Sequence, residues 1–158
     1  MNRRTARFTV VAAMLCGTVA LSACGPDRND GMGAVDGTSG TAKEQPDNKL
    51  SADVREYAVH VTDHVAKAGD VTFTVTNYGT IQHEFLVIKT DYPVGQIPVD
   101  GEKFNEEANG VANLGETGEF DPGLTKTVTV KLTPGHYQLV CNIPGHYKKG
   151  MAIPFEVI

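Results

Sequence analysis

The feature that most constrains the fold is a period-two alternation of apolar and polar residues that begins near residue 50. Turn sequences rich in Gly, Pro and Asn separate the alternating runs. Alternation of this kind is typical of strands with one buried face, and many short strands at close spacing indicate two packed antiparallel sheets. We therefore predict an all-β antiparallel sandwich or barrel over residues 50–158. The predicted strands lie within 56–61, 71–76, 84–89, 127–132, 136–141 and 153–157.

The segment 90–119 shows little alternation, and the stretch Glu102 to Ala112 could hold one short helix. Composition adds two exclusions. The formal net charge of -5 argues against a nucleic-acid partner. The three cysteines, Cys16, Cys24 and Cys141, cannot form a multi-bridge disulfide scaffold, and they contain no C-x-x-C pair.

The N-terminal segment 1–23 is typical of an export signal. Arg3, Arg4 and Arg7 precede an uncharged apolar stretch from Phe8 to Leu21, which is shorter than the ~20 residues that span a bilayer. A membrane anchor that is never removed is the alternative. The pair Arg3-Arg4 leaves twin-arginine export open beside the general route.

The end of this apolar stretch, Leu21-Ser22-Ala23-Cys24, resembles the lipobox of bacterial lipoproteins. The resemblance implies cleavage before Cys24 and lipidation of its thiol, and several acyl chains give stable membrane anchoring. Residues 24–49 are rich in Gly, Asp, Asn, Ser and Thr and lack apolar periodicity, which predicts a flexible linker. We expect an exported protein held on the outer face of the cell membrane or in the periplasm.

The segment with the clearest chemistry runs from Cys141 to Met151 and has the spacing C-x4-H-x4-M. Pro and Gly residues between these side chains suit a tight loop that can turn several donors toward one point. His83 precedes another predicted strand. Two His, one Cys and one Met are the donor set of a blue-copper centre. Because this set leaves no position for a substrate, it predicts a one-electron carrier with one copper ion, Cu(I)/Cu(II), and not an enzyme.

This loop resembles the ligand loop of cupredoxins, and its Cys-x-Ile-Pro-Gly-His-x-x-x-Gly-Met form is similar to that of rusticyanin and sulfocyanin-like proteins. The strand pattern of residues 50–158 fits the cupredoxin Greek-key fold. The resemblance implies that His83, Cys141 and His146 are the equatorial copper ligands and that Met151 is the axial ligand.

Neighbouring residues depart from the family pattern or extend it. Many cupredoxins have Asn directly after the first His, where it ties the two ligand loops together, but this chain has Glu84. We therefore expect an altered set of contacts around the ligands, with Asn142 as a second candidate for the tie. A docking face for partners is expected around the edge of His146.

The residues that we expect in this docking face are Ile143, Pro144, Lys148 and Lys149.

The leading hypothesis is a membrane-tethered electron carrier that acts as a monomer between redox proteins, such as a cytochrome or an oxidase. The competing hypothesis is a copper-binding module for copper delivery, storage or resistance. Multicopper oxidases need many more histidines than the five in this chain, which argues against a copper enzyme. His60 and His64 lie near the first predicted strand, and we interpret them as solvated side chains.

Overall fold

The computed structural model describes residues 48–158. The predicted signal peptide, Cys24 and most of the predicted linker lie outside the described residues. Asn48 and the first strand, which begins at Lys49, already belong to the folded domain: Asn48 exchanges hydrogen bonds with the backbone of Lys67 at 3.0 and 3.1 Å. Within residues 48–158, no helix has the length and apolar character needed to cross a membrane.

Strands dominate the described residues, with one turn of 3₁₀ helix at Tyr147–Lys149. The strands are β1 Lys49–Arg55, β2 Ala58–Val61, β3 Val65–Ala66, β4 Gly69–Asn77, β5 Leu86–Thr90, β6 Val99–Asp100, β7 Lys103–Phe104, β8 Val111–Glu116, β9 Thr125–Leu132, β10 Gly135–Val140 and β11 Ala152–Val157.

Two main sheets form a sandwich. The first has the strand order β2-β1-β4-β9, and the second has the order β3-β11-β10-β5-β8. Neighbouring strands are antiparallel except for β1 with β4 and β3 with β11, which are parallel. The chain passes between the sheets after β2, β3, β4, β8 and β9, so strands close in sequence lie in different sheets. These connections place the loops after β4 and β10 close together in space.

The core between the sheets follows from the alternation in the sequence. Val71, Phe73 and Val75 of β4 are fully buried, and the threonines between them face outward or lie partly covered. On the outer face, the hydroxyl groups of Thr72 and Thr129 are 2.9 Å apart across the β4–β9 pair. Period-two sequences therefore form strands here because one face packs in the core and the other forms cross-strand polar pairs.

A second apolar cluster covers the outer face of the second sheet. Leu86 and Ile88 of β5 point into it, whereas Val87 points into the main core, so β5 is buried on both faces. Ile97 and Phe104, from the segment between β5 and β8, also belong to this cluster. The segment 90–119 lacks alternation because its long loop packs across a sheet face.

The short helix expected within Glu102 to Ala112 is wrong. The chain there forms β7, a turn and the start of β8. Asn105 accepts a hydrogen bond from the backbone N–H of Glu107 at 2.9 Å, an Asx turn that competes with helix formation. The region 56–61 also differs from the prediction of one strand, because its first residues form the turn between β1 and β2.

Candidate metal centre

Cys141 and Met151 are held at the two ends of the predicted ligand loop by adjacent strands. Cys141 directly follows β10 and Met151 directly precedes β11, and the Cys141 N–H donates to the Met151 carbonyl at 3.1 Å. Between them, Gly145 and Gly150 have φ values of 83° and 92°, which favour glycine. The N–H of Met151 donates to the carbonyl of His146 at 3.2 Å. The loop thus closes on itself and turns His146 inward.

His83 is held by the neighbouring chain segment at Phe120. The two residues exchange backbone hydrogen bonds of 3.3 and 2.8 Å, and the side chain of Asn77 donates to the carbonyl groups of Ile81 and Phe120. Asn77 and Phe120 are buried, so the bond between them lies away from solvent. His83 therefore has a fixed backbone although it lies outside the regular strands.

The side chains of His83, Cys141 and His146 converge in the interior. The Nδ1 atoms of His83 and His146 lie 3.9 and 3.4 Å from the Cys141 Sγ atom, and the three donor atoms lie within 4.8 Å of one another. His83 and Cys141 are 0% exposed and His146 is 5% exposed. Among residues 48–158, these three side chains form the one such group of metal-binding type.

The donor spacing fits a first-row metal ion. Bond lengths of about 2.0–2.3 Å to N and S, as in zinc sites, place three trigonal donors roughly 3.5–4 Å apart. The two observed S to N distances, 3.4 and 3.9 Å, match this spacing. One thiolate with two imidazoles favours copper over hard cations, and a thioether is the usual weak fourth donor. Met151 is fully buried in the same core cluster as Cys141, and its backbone N–H bonds to the carbonyl of His146.

Burial changes the acid–base behaviour of all three donors in the metal-free protein. It raises the pKa of the Cys141 thiol to about 11. It lowers the pKa of His83 and, together with the nearby His83 ring, that of His146. Near neutral pH both imidazoles are therefore uncharged and able to coordinate, whereas metal binding must displace the thiol proton.

Glu84 and Asn142 connect the two ligand-bearing segments in different ways. A carboxylate oxygen of Glu84 accepts the N–H of Asn142 at 2.9 Å, and the N–H of Glu84 points to Cys141 Sγ at 3.5 Å. Burial raises the pKa of Glu84. The Asn142 side chain instead pairs with the backbone of Phe104 through bonds of 2.8 and 3.2 Å, and with Glu106 at 3.0 Å. Glu84 thus makes the direct tie, and Asn142 fastens the ligand loop to β7.

The four residues expected at a docking face lie on the same loop as His146. Pro144, Lys148 and Lys149 are exposed, and Ile143 is half-buried against the core. Both lysines have partners within the chain. Lys148 pairs with Glu102 at 2.8 Å.

Lys149 contacts Tyr57 twice: its ammonium group donates to the phenol oxygen at 2.6 Å and lies 4.0 Å from the ring centroid.

His60 and His64 are exposed and lie outside the metal-binding group. Their side-chain contacts are with Asp53 and with the carbonyl of Pro154, respectively. His60 and His64 therefore lie on the outside of the domain, away from the metal centre.

Sequence reasoning missed two residues that contact the metal-site histidines. Tyr57 packs edge-on against His146, with ring centroids 5.1 Å apart. Glu56 lies 3.9 Å from the Nε2 atom of His83. Both belong to the turn between β1 and β2, whereas the prediction placed residues 56–61 in a single strand. Neither Glu nor Tyr is typical of turns, so these two residues carried no signal from which the turn could be predicted.

Comparison with known proteins places the chain among copper proteins. The sulfocyanin (SoxE) domain family matches residues 60–157. A comparison with curated protein sequences gave no match.

Among solved structures, a dithionite-reduced auracyanin from Roseiflexus castenholzii is 22% identical, covers 72% of this chain and 98% of its own, and has a TM-score of 0.57. Auracyanin B is 19% identical over 73% of this chain and 91% of its own, with a TM-score of 0.51. An azurin from Methylomonas sp. strain J is 15% identical over 70% of this chain and 97% of its own, with a TM-score of 0.51.

At these identities the solved structures establish the fold, and they confirm the prediction of an all-β, cupredoxin-like sandwich. The family match spans more than half of the chain and includes all four residues of the predicted copper set. Together with the converging donors, it confirms copper as the cofactor and electron transfer, not catalysis, as the role. The chain belongs to the sulfocyanin domain family and is a blue copper electron-transfer protein of the cupredoxin class.

Proposed function

We propose that this protein carries single electrons between redox proteins outside the cytoplasmic membrane, to which it is tethered through lipidated Cys24. The convergence of His83, Cys141 and His146 in a buried centre is the observation that carries the proposal. Bound copper supplies one-electron exchange between Cu(I) and Cu(II). The chain contributes two imidazoles, a thiolate and a thioether, which together suit both oxidation states.

The surroundings of the centre support transfer in preference to delivery or storage of copper. The three donor residues are almost entirely covered. A buried hydrogen bond from the Asn142 N–H to the Glu84 carboxylate joins the two ligand-bearing segments, and the Asn142 side chain accepts the N–H of Phe104. Such a site holds its geometry when the electron moves and releases its ion slowly. The half-buried ring of Tyr57 packs against His146, so the proposed route for electrons passes the His146 edge near Tyr57 and Pro144.

The copper centre is tested by visible and EPR spectra of the copper-loaded soluble domain, with Cys141→Ser as the diagnostic variant. We expect an intense thiolate-to-Cu(II) band that the variant loses, and a reversible one-electron couple with metal that resists a chelator. A band that survives in Cys141→Ser contradicts the assignment of the thiolate. Rapid loss of copper to the chelator supports delivery or storage instead.

The tether is tested separately on the full chain expressed in a bacterial host. We expect Cys24→Ala to move the protein from the membrane fraction to the soluble fraction and to abolish labelling by a radioactive fatty acid. Cys16→Ala is the matched control, because this cysteine lies within the predicted signal and precedes the lipobox-like sequence. If Cys24→Ala stays membrane-bound and labelled, the lipid anchor is wrong even where the copper centre is right.

Partner docking through the loop around His146 is the third part of the proposal. Pro144, Lys148 and Lys149 are exposed there, and two cations favour an acidic partner surface. We expect the rate of electron exchange with such a partner to fall as ionic strength rises, since exposed charges are screened. A rate independent of salt contradicts the charged docking face.

A further inference from the structure

The outer nitrogen of His83 is an unsatisfied polar atom in the interior. Its Nε2 atom is buried and makes no hydrogen bond within the described part of the chain. The other ring nitrogen, Nδ1, faces Cys141 Sγ. When Nδ1 coordinates a metal, the ring proton resides on Nε2, which then needs an acceptor. Buried donors are almost always paired in folded proteins, so the absence of a partner here needs an explanation.

Glu56 is the acidic group in position to be that acceptor. Its Oε1 atom lies 3.9 Å from His83 Nε2, which is beyond hydrogen-bond range by less than about 1 Å. The same oxygen accepts hydrogen bonds from the Thr80 N–H at 2.6 Å, the Thr80 hydroxyl at 3.0 Å and the Ile81 N–H at 3.0 Å. The carboxylate is thus fixed against the loop that leads into His83, although Glu56 itself comes from the β1–β2 turn.

Gly79 provides independent evidence that this approach is built into the fold. A Cβ atom at position 79 would lie 2.8 Å from His83 Nε2 and 3.0 Å from each carboxylate oxygen of Glu56. Gly79 does not have the positive φ that usually calls for glycine. The absence of a side chain at Gly79 therefore allows the Glu56 carboxylate and the His83 imidazole to approach each other closely.

We propose that Glu56 is a positioning residue for the copper centre, whose carboxylate accepts the Nε2–H of His83. This contact selects the tautomer with Nδ1 free for copper and places a negative charge behind one ligand. The charge favours Cu(II) over Cu(I), because the more positive ion gains more from a nearby anion. No proton needs to move when the electron is transferred. The inference rests on the proposed copper function and deepens it.

The charge is tested by the reduction potential of the copper-loaded Glu56→Gln variant, which keeps the size and an acceptor oxygen. We expect the Cu(II)/Cu(I) equilibrium to shift toward Cu(I) by about tenfold, which is a 59 mV rise for one electron. The matched control is Glu102→Gln, which removes an exposed carboxylate paired with Lys148. We expect the control to shift the equilibrium by less than about twofold. Equal shifts in both variants overturn the proposal.

The tautomer is tested without copper, by nitrogen-15 NMR of the His83 ring at about pH 8, where imidazoles are uncharged. We expect the Nε2–H form to dominate in the unaltered protein and to lose that dominance in Glu56→Ala. If the Nδ1–H form dominates in the unaltered protein, or Glu56→Ala changes nothing, the proposal fails. Because this measurement needs no metal, its result is independent of whether the blue-copper spectrum is found.

Discussion

Cys141, His146 and Met151 come from one continuous loop, whereas His83 depends on residues far apart in the chain. The loop sets its own shape through glycine turns and hydrogen bonds between its two ends. His83 instead relies on Phe120 and on the turn that carries Glu56. One part of the centre is therefore local and visible as a motif. The other part exists only after both sheets have packed.

The largest expected effect comes from Gly79→Ala, which alters the support of His83 and leaves the loop unchanged. The new Cβ would press on His83 Nε2 and on Glu56, which is held by its hydrogen bonds. We expect a loss of about 2–3 kcal/mol of stability, as for other overpacked sites, with a changed copper spectrum. Thermal unfolding and visible spectroscopy measure the two effects.

Gly115→Ala is the matched control for this variant. Its Cβ would contact Val130 and Val128 within the domain, and the metal-binding side chains are not among these contacts. We expect a similar loss of stability with an unchanged spectrum. An altered copper spectrum in the control, or an unaltered one in Gly79→Ala, contradicts the distinction between the ligand loop and the support of His83.

Asn142→Ala tests how far the ligand loop depends on contacts outside itself. The change leaves the N–H and carbonyl of Phe104 without the buried side-chain partner that they have now. We expect a loss of about 2 kcal/mol in the free energy of unfolding, measured by chemical denaturation. The exposed Asn109→Ala serves as control, and its change should stay within about 0.5 kcal/mol. A negligible effect at Asn142 means that the loop holds its shape alone.

A smaller effect concerns the pH dependence of the metal-free domain. The Thr80 N–H and the other donors near it lower the pKa of Glu56 from 4.5 to about 2. Because the folded-state pKa is depressed, the carboxylate stabilises the fold above pH 4.5 and loses this effect as the pH falls toward 2. We expect a shallower dependence of unfolding free energy on pH between these values in Glu56→Gln. An unchanged slope in Glu56→Gln contradicts this prediction.

The smallest expected effect is that of Lys148→Ala on the exposed side of the ligand loop. Its ion pair with Glu102 spans 2.8 Å, but both side chains are largely in solvent, at 42% and 63% exposed. Exposed pairs contribute less than about 1 kcal/mol. We expect a change in stability below that value and an unchanged copper spectrum. A large change would mean that the loop depends on its surface contacts.

Most of the fold could be predicted from periodicity. The alternation in β4, β9 and β11 marks one buried face, and these strands lie close to the predicted bounds. The strands β1 and β8 and the two-residue strands β3, β6 and β7 were missed. The exposed residues of β8 weaken its apolar signal, and β1 lies at the boundary with the predicted linker.

The sequence by itself determined the copper set, because Cys141, His146 and Met151 stand at fixed spacing in a loop whose glycines allow it to turn tightly. It also marked His83 as the remaining donor. Only the tertiary structure decided which residues surround the donors. Glu84 ties the two ligand-bearing segments together, Tyr57 packs against His146, and Glu56 lies near the outer nitrogen of His83. The physical reason is that spacing along a chain sets local geometry, whereas the packing of two sheets sets which distant side chains meet.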